Sequence, residues 1–349
     1  MGIDMREKTV LIQEMLEFSK VKKGERIIVV TTHDFNQEEM TSYRVALQNL
    51  GAEFVHVVFP PQANGAQLKD PGTTLFYDVI EQADMIVTPS SSCVGRMPTI
   101  HSQRIISVLQ KGARMLQVQY SLEKIRQLWP TEDMIARTIA GAKVMEKAET
   151  IRIVSGSGSA ELVMDKKGRP AHTQYGMADV PGRWDNFGCG CISSTPLESS
   201  ANGTLVVEPP AAISPLVRFV SQPFTLTIKD GSITKIEGGL EAELLKRWLD
   251  QFDDPESYGT SHVGWGTHKK VGIGEGGGRP NLISYLHNAY GTLLIAFGDS
   301  LHAKTAKFSG SDGKRKAASH IDIGGWNVDF YLDDRLICSK GEIVDSRCK

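Results

Sequence analysis

The stretches ERIIVV (25–30) and EFVHVVF (53–59) decide the fold class. Both are short apolar runs rich in β-branched residues. Between them, residues 36–50 carry a polar, helix-like pattern that stops at Gly51. The alternation repeats. A helical pattern over 75–82 leads into an apolar run at 85–87, and another over 102–109 stops at Gly112 and leads into 114–118. Strands spaced by helices predict an α/β unit, a mostly parallel open sheet with helices on its faces. Ligands in such sheets sit beyond the carboxyl ends of the strands. A helix pattern over 133–148 leads out of this region.

After residue 150 the texture changes. Apolar runs at 151–154, 161–164, 205–207, 224–228 and 232–236 read as strands, the last two joined by Asp230-Gly231, a hairpin turn pair. Residues 241–252 and 281–289 read as helices, and 293–296, 320–323 and 328–332 as further strands. This half predicts a mixed, antiparallel α+β domain that carries the catalysis. A chain of 349 residues fits about two domains, placed at 1–149 and 150–349.

Charge and composition narrow the function. A net charge of -2 gives no general attraction to nucleic acid or anionic membrane, and no run reaches the length of a membrane helix. The basic run Lys314-Arg315-Lys316 reads as a solvated loop. Five cysteines, an odd number with no disulfide spacing and no export signal, predict reduced thiols in the cytoplasm. Cys189-Gly-Cys191 lacks the second pair that a zinc ribbon needs. Residues 272–277 match G-x-G-x-x-G, but no strand precedes them, so the dinucleotide reading fails. Neither a Gly-x-Ser-x-Gly elbow nor a His-Glu-x-x-His pair occurs.

Ser319-His320-Ile321-Asp322-Ile323 is the most informative chemical segment. On a strand, residues two apart share a face, with Cα atoms roughly 6.6 Å apart. His320 and Asp322 therefore face one way while the isoleucines are buried the other way. The third ligand is sought in Tyr258-Gly-Thr-Ser-His-Val-Gly-Trp-Gly266, read as a loop whose glycines allow close approach to a ligand. That segment offers His262. Two histidines and a carboxylate hold iron(II) with open positions, or catalytic zinc with a bound water. Spacing does not separate the two. His101, just before a helix, reads on its own as a capping or surface residue.

Several blocks resemble the 2,5-dihydroxypyridine 5,6-dioxygenase family. They are Gly313–Asp322 with Tyr331-Leu-Asp-Asp334, Tyr258–Gly266, Tyr175–Asp185, Pro130-Thr-Glu-Asp133 and the His101-Ser102 helix start. The resemblance covers nearly the whole chain. It implies a mononuclear Fe(2+) site held by His262, His320 and Asp322, with His101 as acid-base residue. It also implies Gln174, Arg183, Asn186 and His287 as substrate-binding positions. The reaction implied is opening of a dihydroxypyridine ring by O2, in nicotinate degradation. The partners implied are a small aromatic N-heterocycle and O2, in a homo-oligomer such as a hexamer. Where this chain has Gln174, Asn186 and His287, the family's pattern has Glu, His and Arg, which leaves a 3-hydroxy-4-pyridone or another hydroxypyridine open as substrate. The alternative is a metal-dependent aminopeptidase-like hydrolase of related fold. It needs a second carboxylate set for two metals.

Overall fold

The computed structural model describes residues 3–59, 74–89, 102–214, 216, 218–271 and 287–349. The first half runs α1 (Met5–Phe18), β1 (Arg26–Thr32), α2 (Gln37–Asn49), β2 (Glu53–Phe59), α3 (Thr74–Ile80), β3 (Met85–Thr88), α4 (Gln103–Gln110), β4 (Arg114–Gln117), α5 (Leu122–Gln127) and α6 (Glu132–Lys147). Local chemistry sets the helix starts. Asp4 caps α1 in a reciprocal box with Glu7, while Asn36 and Thr131 accept from the first turns of α2 and α6. Leu11, Ile12, Met15 and Leu16 then give α1 one buried stripe. In β1 every residue after Arg26 is buried, as expected of a strand covered on both faces.

The second half contributes β5 (Thr150–Ser155), β6 (Ala160–Asp165), β7 (His172–Gln174), β8 (Trp184–Asn186), β9 (Cys191–Ser194), β10 (Asn202–Val207), β11 (Ala212–Ile213) and β12 (Arg218–Phe219). It continues with β13 (Phe224–Lys229), β14 (Ser232–Gly238), α7 (Leu240–Asp250), β15 (Thr260–Gly266), β16 (Leu293–Gly298), β17 (His320–Gly325), β18 (Asp329–Leu332), β19 (Arg335–Ser339) and β20 (Glu342–Ile343).

Three sheets result. The first is parallel, in the order β2-β1-β3-β4-β8. Its fifth strand comes from beyond residue 150, so this sheet draws on both halves of the chain. The other two are antiparallel: β14-β13-β10-β6-β5-β18-β19-β20 and β12-β11-β17-β16-β15-β9-β7. They share one core. Ile151, Ile153, Leu162, Leu205 and Leu226 of the eight-stranded sheet pack with Ile192, Val263, Trp265, Ile295, Phe297, Ile321 and Ile323 of the seven-stranded sheet. The mixed α/β architecture therefore matches the expectation. The Asp230-Gly231 hairpin is present too, with both residues at positive φ (49° and 80°).

Two local expectations are corrected. Residues 260–266 are strand β15, not a loop. The glycines there mark crowding: a Cβ on Gly264 would stand 1.8 Å from the Ile192 carbonyl oxygen of β9. The basic run is not simply solvated either. Arg315 is buried, paired with Glu256, and donates to the Glu198 carbonyl at 2.6 Å. The Gly-rich stretch 272–278 and most of the helix expected at 281–289 lie outside the described residues. None of the helices described is long and apolar enough to cross a membrane.

Candidate metal centre

The register of the seven-stranded sheet builds the site. Ile295 pairs with both Val263 and Ile323, and Phe297 pairs with Ile321. Side chains opposite one another share a face, so these apolar residues all enter the core. The alternate residues therefore share the other face: His262 on β15, Ala296 and Gly298 on β16, His320 and Asp322 on β17. Ala296 is opposite Asp322 and Gly298 is opposite His320. With only these small residues between them, β15 and β17 can bring their side chains together. Gly298 is also conformationally required, since its φ is +93° and a Cβ would stand 2.2 Å from the Ser319 carbonyl oxygen.

The side chains converge. The Nε2 atoms of His262 and His320 each stand 3.3 Å from Asp322 Oδ1, and the two rings stack at 5.1 Å and 21°. Among the described residues, this is the one group of three or more His, Cys, Asp or Glu that could hold a metal. Asp322 Oδ1 is nevertheless buried with no directed hydrogen bond. Three ligand atoms aimed at one point without bonding each other fit a cation better than an ion-pair network. His320 Nδ1 donates to the Asp299 carbonyl at 2.8 Å, which leaves Nε2 as the lone-pair nitrogen. Burial pushes the Asp322 carboxyl up, but the surrounding imidazoles of His287, His320 and His262 outweigh it and hold it well below the usual carboxylate range. Burial lowers His320, yet Asp322 beside it and the Asp299 carbonyl leave it raised.

The other expected residues are placed as follows. His287 is pushed down to about 4, first by burial, and feels the charges of Asp322, His262 and His320. Its Nε2 is buried without a hydrogen-bond partner. Asn186 ends β8 with its side-chain oxygen also buried and unpartnered. Gln174 ends β7, where its Oε1 meets the Cys191 thiol at 3.7 Å. Arg183 is buried, donates to Asp185 and to the Thr173 carbonyl and hydroxyl at 2.9–3.0 Å, and lies 3.4 Å over the Tyr175 ring. It thus ties β7 to β8. His101 lies outside the described residues. Sequence reasoning passed over His172, Trp184 and His302. His172 stacks on Trp184 at 5.3 Å and 10°, with His302 edge-on at 4.4 Å. The two-residue spacing of His172-Thr-Gln174 was the available clue, the same spacing that singled out His320-Ile-Asp322.

A family model described as NicX, 2,5-dihydroxypyridine 5,6-dioxygenase, matches residues 7–345. The chain belongs to the 2,5-dihydroxypyridine 5,6-dioxygenase family. The curated 2,5-dihydroxypyridine 5,6-dioxygenase of Pseudomonas putida is 30% identical to it, over 99% of this chain and 98% of that protein. The solved structure of the 2,5-dihydroxypyridine dioxygenase from Pseudomonas putida KT2440 superposes with a TM-score of 0.89 at 29% identity, covering all of both chains. AmpT from Thermus thermophilus shares the fold, with a TM-score of 0.65 at 13% identity over 96% of this chain and 99% of that one. Within the 2,5-dihydroxypyridine 5,6-dioxygenase family fold, the ligand cluster lies on one face of the seven-stranded sheet.

Proposed function

We propose that this protein is an iron(II)-dependent dioxygenase that opens the ring of 2,5-dihydroxypyridine or a close hydroxypyridine or pyridone. The observation that carries the reading is the convergence of His262, His320 and Asp322 around an unsatisfied carboxylate oxygen, in a member of this family. His262, His320 and Asp322 would hold the iron(II) ion, which would supply activation of O2 next to the ring.

The chain's own residues do the rest. The Asp299 carbonyl fixes the ring of His320. His287 Nε2 and the Asn186 side-chain oxygen, both buried and unsatisfied, gain partners when a polar ring enters. Gln174 adds an amide at the end of β7. Arg183 acts by holding β7 and β8 in place. His101 takes the proton of a ring hydroxyl and returns it later, a task suited to a group titrating near neutral pH. Free, buried Cys189, Cys191, Cys338 and Cys348 support a reducing, cytoplasmic setting. Nicotinate degradation and assembly as a homo-oligomer belong to the same proposal.

The test is oxygen uptake by protein loaded anaerobically with iron(II), against a panel of dihydroxypyridines, with a zinc-loaded control. Uptake with iron alone, abolished by His320→Ala and strongly reduced by His101→Ala, is expected. No uptake with any ring, together with peptide hydrolysis by the zinc form, would replace this reading with a hydrolase.

A further inference from the structure

His172 lies on the ligand-bearing face of the seven-stranded sheet. It pairs with Ser193 of β9, which in turn pairs with Gly264 of β15. These three form one row across the strands, and His262 is two residues further along β15 on the same face. Two strand spacings and two residues of rise put the Cα atoms of His172 and His262 about 12 Å apart. The positions between them on this face are Ser193 and Gly264, both small. A flat ring therefore has a low floor, with the metal ligands at one end and His172 at the other.

His172 is fixed by three contacts. Trp184 stacks nearly parallel to it and is itself anchored by donating to Gln117 Oε1 at 2.9 Å. His302 closes the edge. The Gly310 backbone N–H donates to His172 Nδ1 at 3.2 Å. That last bond fixes the tautomer: with Nδ1 accepting, the neutral ring carries its proton on Nε2. Among the described residues no acceptor meets this N–H. Burial, with His302, Arg183 and His262 nearby, pushes His172 well below its ordinary range and keeps it neutral. The site thus presents a preorganised neutral donor opposite the metal ligands.

We propose that His172 is a substrate-binding residue: its Nε2–H donates to the ring oxygen remote from His262, His320 and Asp322, and so makes a second oxygen acceptor on the ring a condition of tight binding. This rests on the ring-opening reading above. Covered by a bound ring that lacks that oxygen, this donor loses water and gains no acceptor, which disfavours such a ring.

The test is anaerobic equilibrium binding to the iron-loaded enzyme of 2,5-dihydroxypyridine and of 3-hydroxypyridine, which lacks the second oxygen. Wild type binds the first about tenfold or more tightly than the second. His172→Phe keeps the stack on Trp184 but removes the donor. It loses that preference by weakening 2,5-dihydroxypyridine alone, with iron content unchanged. His172→Gln places an amide N–H near the Nε2 position and restores most of the preference. Should the Phe variant fail to fold, His172→Met against His172→Gln makes the same comparison. A donorless variant that keeps the wild-type preference, or weakens both rings equally, overturns the proposal. Oxygen uptake by wild type is measured alongside. Ring binding without uptake overturns the ring-opening reading and leaves His172 to be judged by the binding ratio, whereas a wild type that binds neither ring overturns both.

Discussion

Replacing Asp322 by Asn removes a negative charge set among three imidazoles and one ligand of the cluster. The variant is expected to hold iron(II) more than about tenfold more weakly, read by metal analysis after anaerobic loading and desalting. Retained stoichiometric iron would mean that another group supplies the third ligand. The pair His320 and Asp322 was legible because a strand alternates faces and the two isoleucines declare which face is buried. His262 was legible as the partner of that pair through the family resemblance and not through local pattern, since nothing local says that β15 and β17 flank β16. His172 was missed because β7 is three residues long, so its two-residue spacing has no flanking alternation to mark it as a strand. Its tautomer depends on a backbone N–H from Gly310, far along the chain.

Among the elements, β15 was the one misread. Its glycines look like loop residues in isolation, yet each answers to a neighbouring backbone. Gly264→Ala would drive a Cβ into β9, where the Ile192 carbonyl oxygen stands 1.8 Å away. Overpacking against backbone is expected to cost about 1–3 kcal/mol or more, seen as a lowered midpoint in urea, and to separate His262 from β17. An unchanged midpoint would show that β9 and β15 can part without consequence. The parallel strands and their helices were easier to read. A strand buried on both faces, as β1 is, leaves a continuous apolar run, and capping residues mark where helices begin. The short strands β7, β8 and β9 carry no such mark. They exist because long-range partners complete them.

On the scale of the whole molecule, buried histidines make stability depend on acid. His268 donates from Nε2 to the Leu128 carbonyl and accepts from Lys270 N–H at Nδ1, both at 3.2 Å. Burial brings it down to about 4, and His172 lies well below its ordinary value. Both folded values are lower than in the unfolded chain, so the unfolded state binds more protons. Their contribution is complete above about pH 6.5 and is lost as pH falls toward 4, with a slope of about 1.4 kcal/mol per pH unit for each. In metal-free protein the raised groups His320, Asp185 (about 6) and Glu39 (about 7) oppose this over the same range. Urea unfolding of wild type and His268→Gln between pH 7 and 4 isolates the histidine: the stability of wild type relative to the variant should fall as pH falls. A difference that does not change with pH would contradict it.

The parallel sheet takes its outermost strand, β8, from a part of the chain made much later than β4. During synthesis from the amino end, the outer edge of β4 stays open until Trp184–Asn186 has emerged. A nascent chain in that interval exposes a template for wrong pairing. The order in which the ribosome releases the segments therefore sets when the first sheet becomes safe from aggregation, and the same late closure places Asn186 and Trp184 beside the seven-stranded sheet.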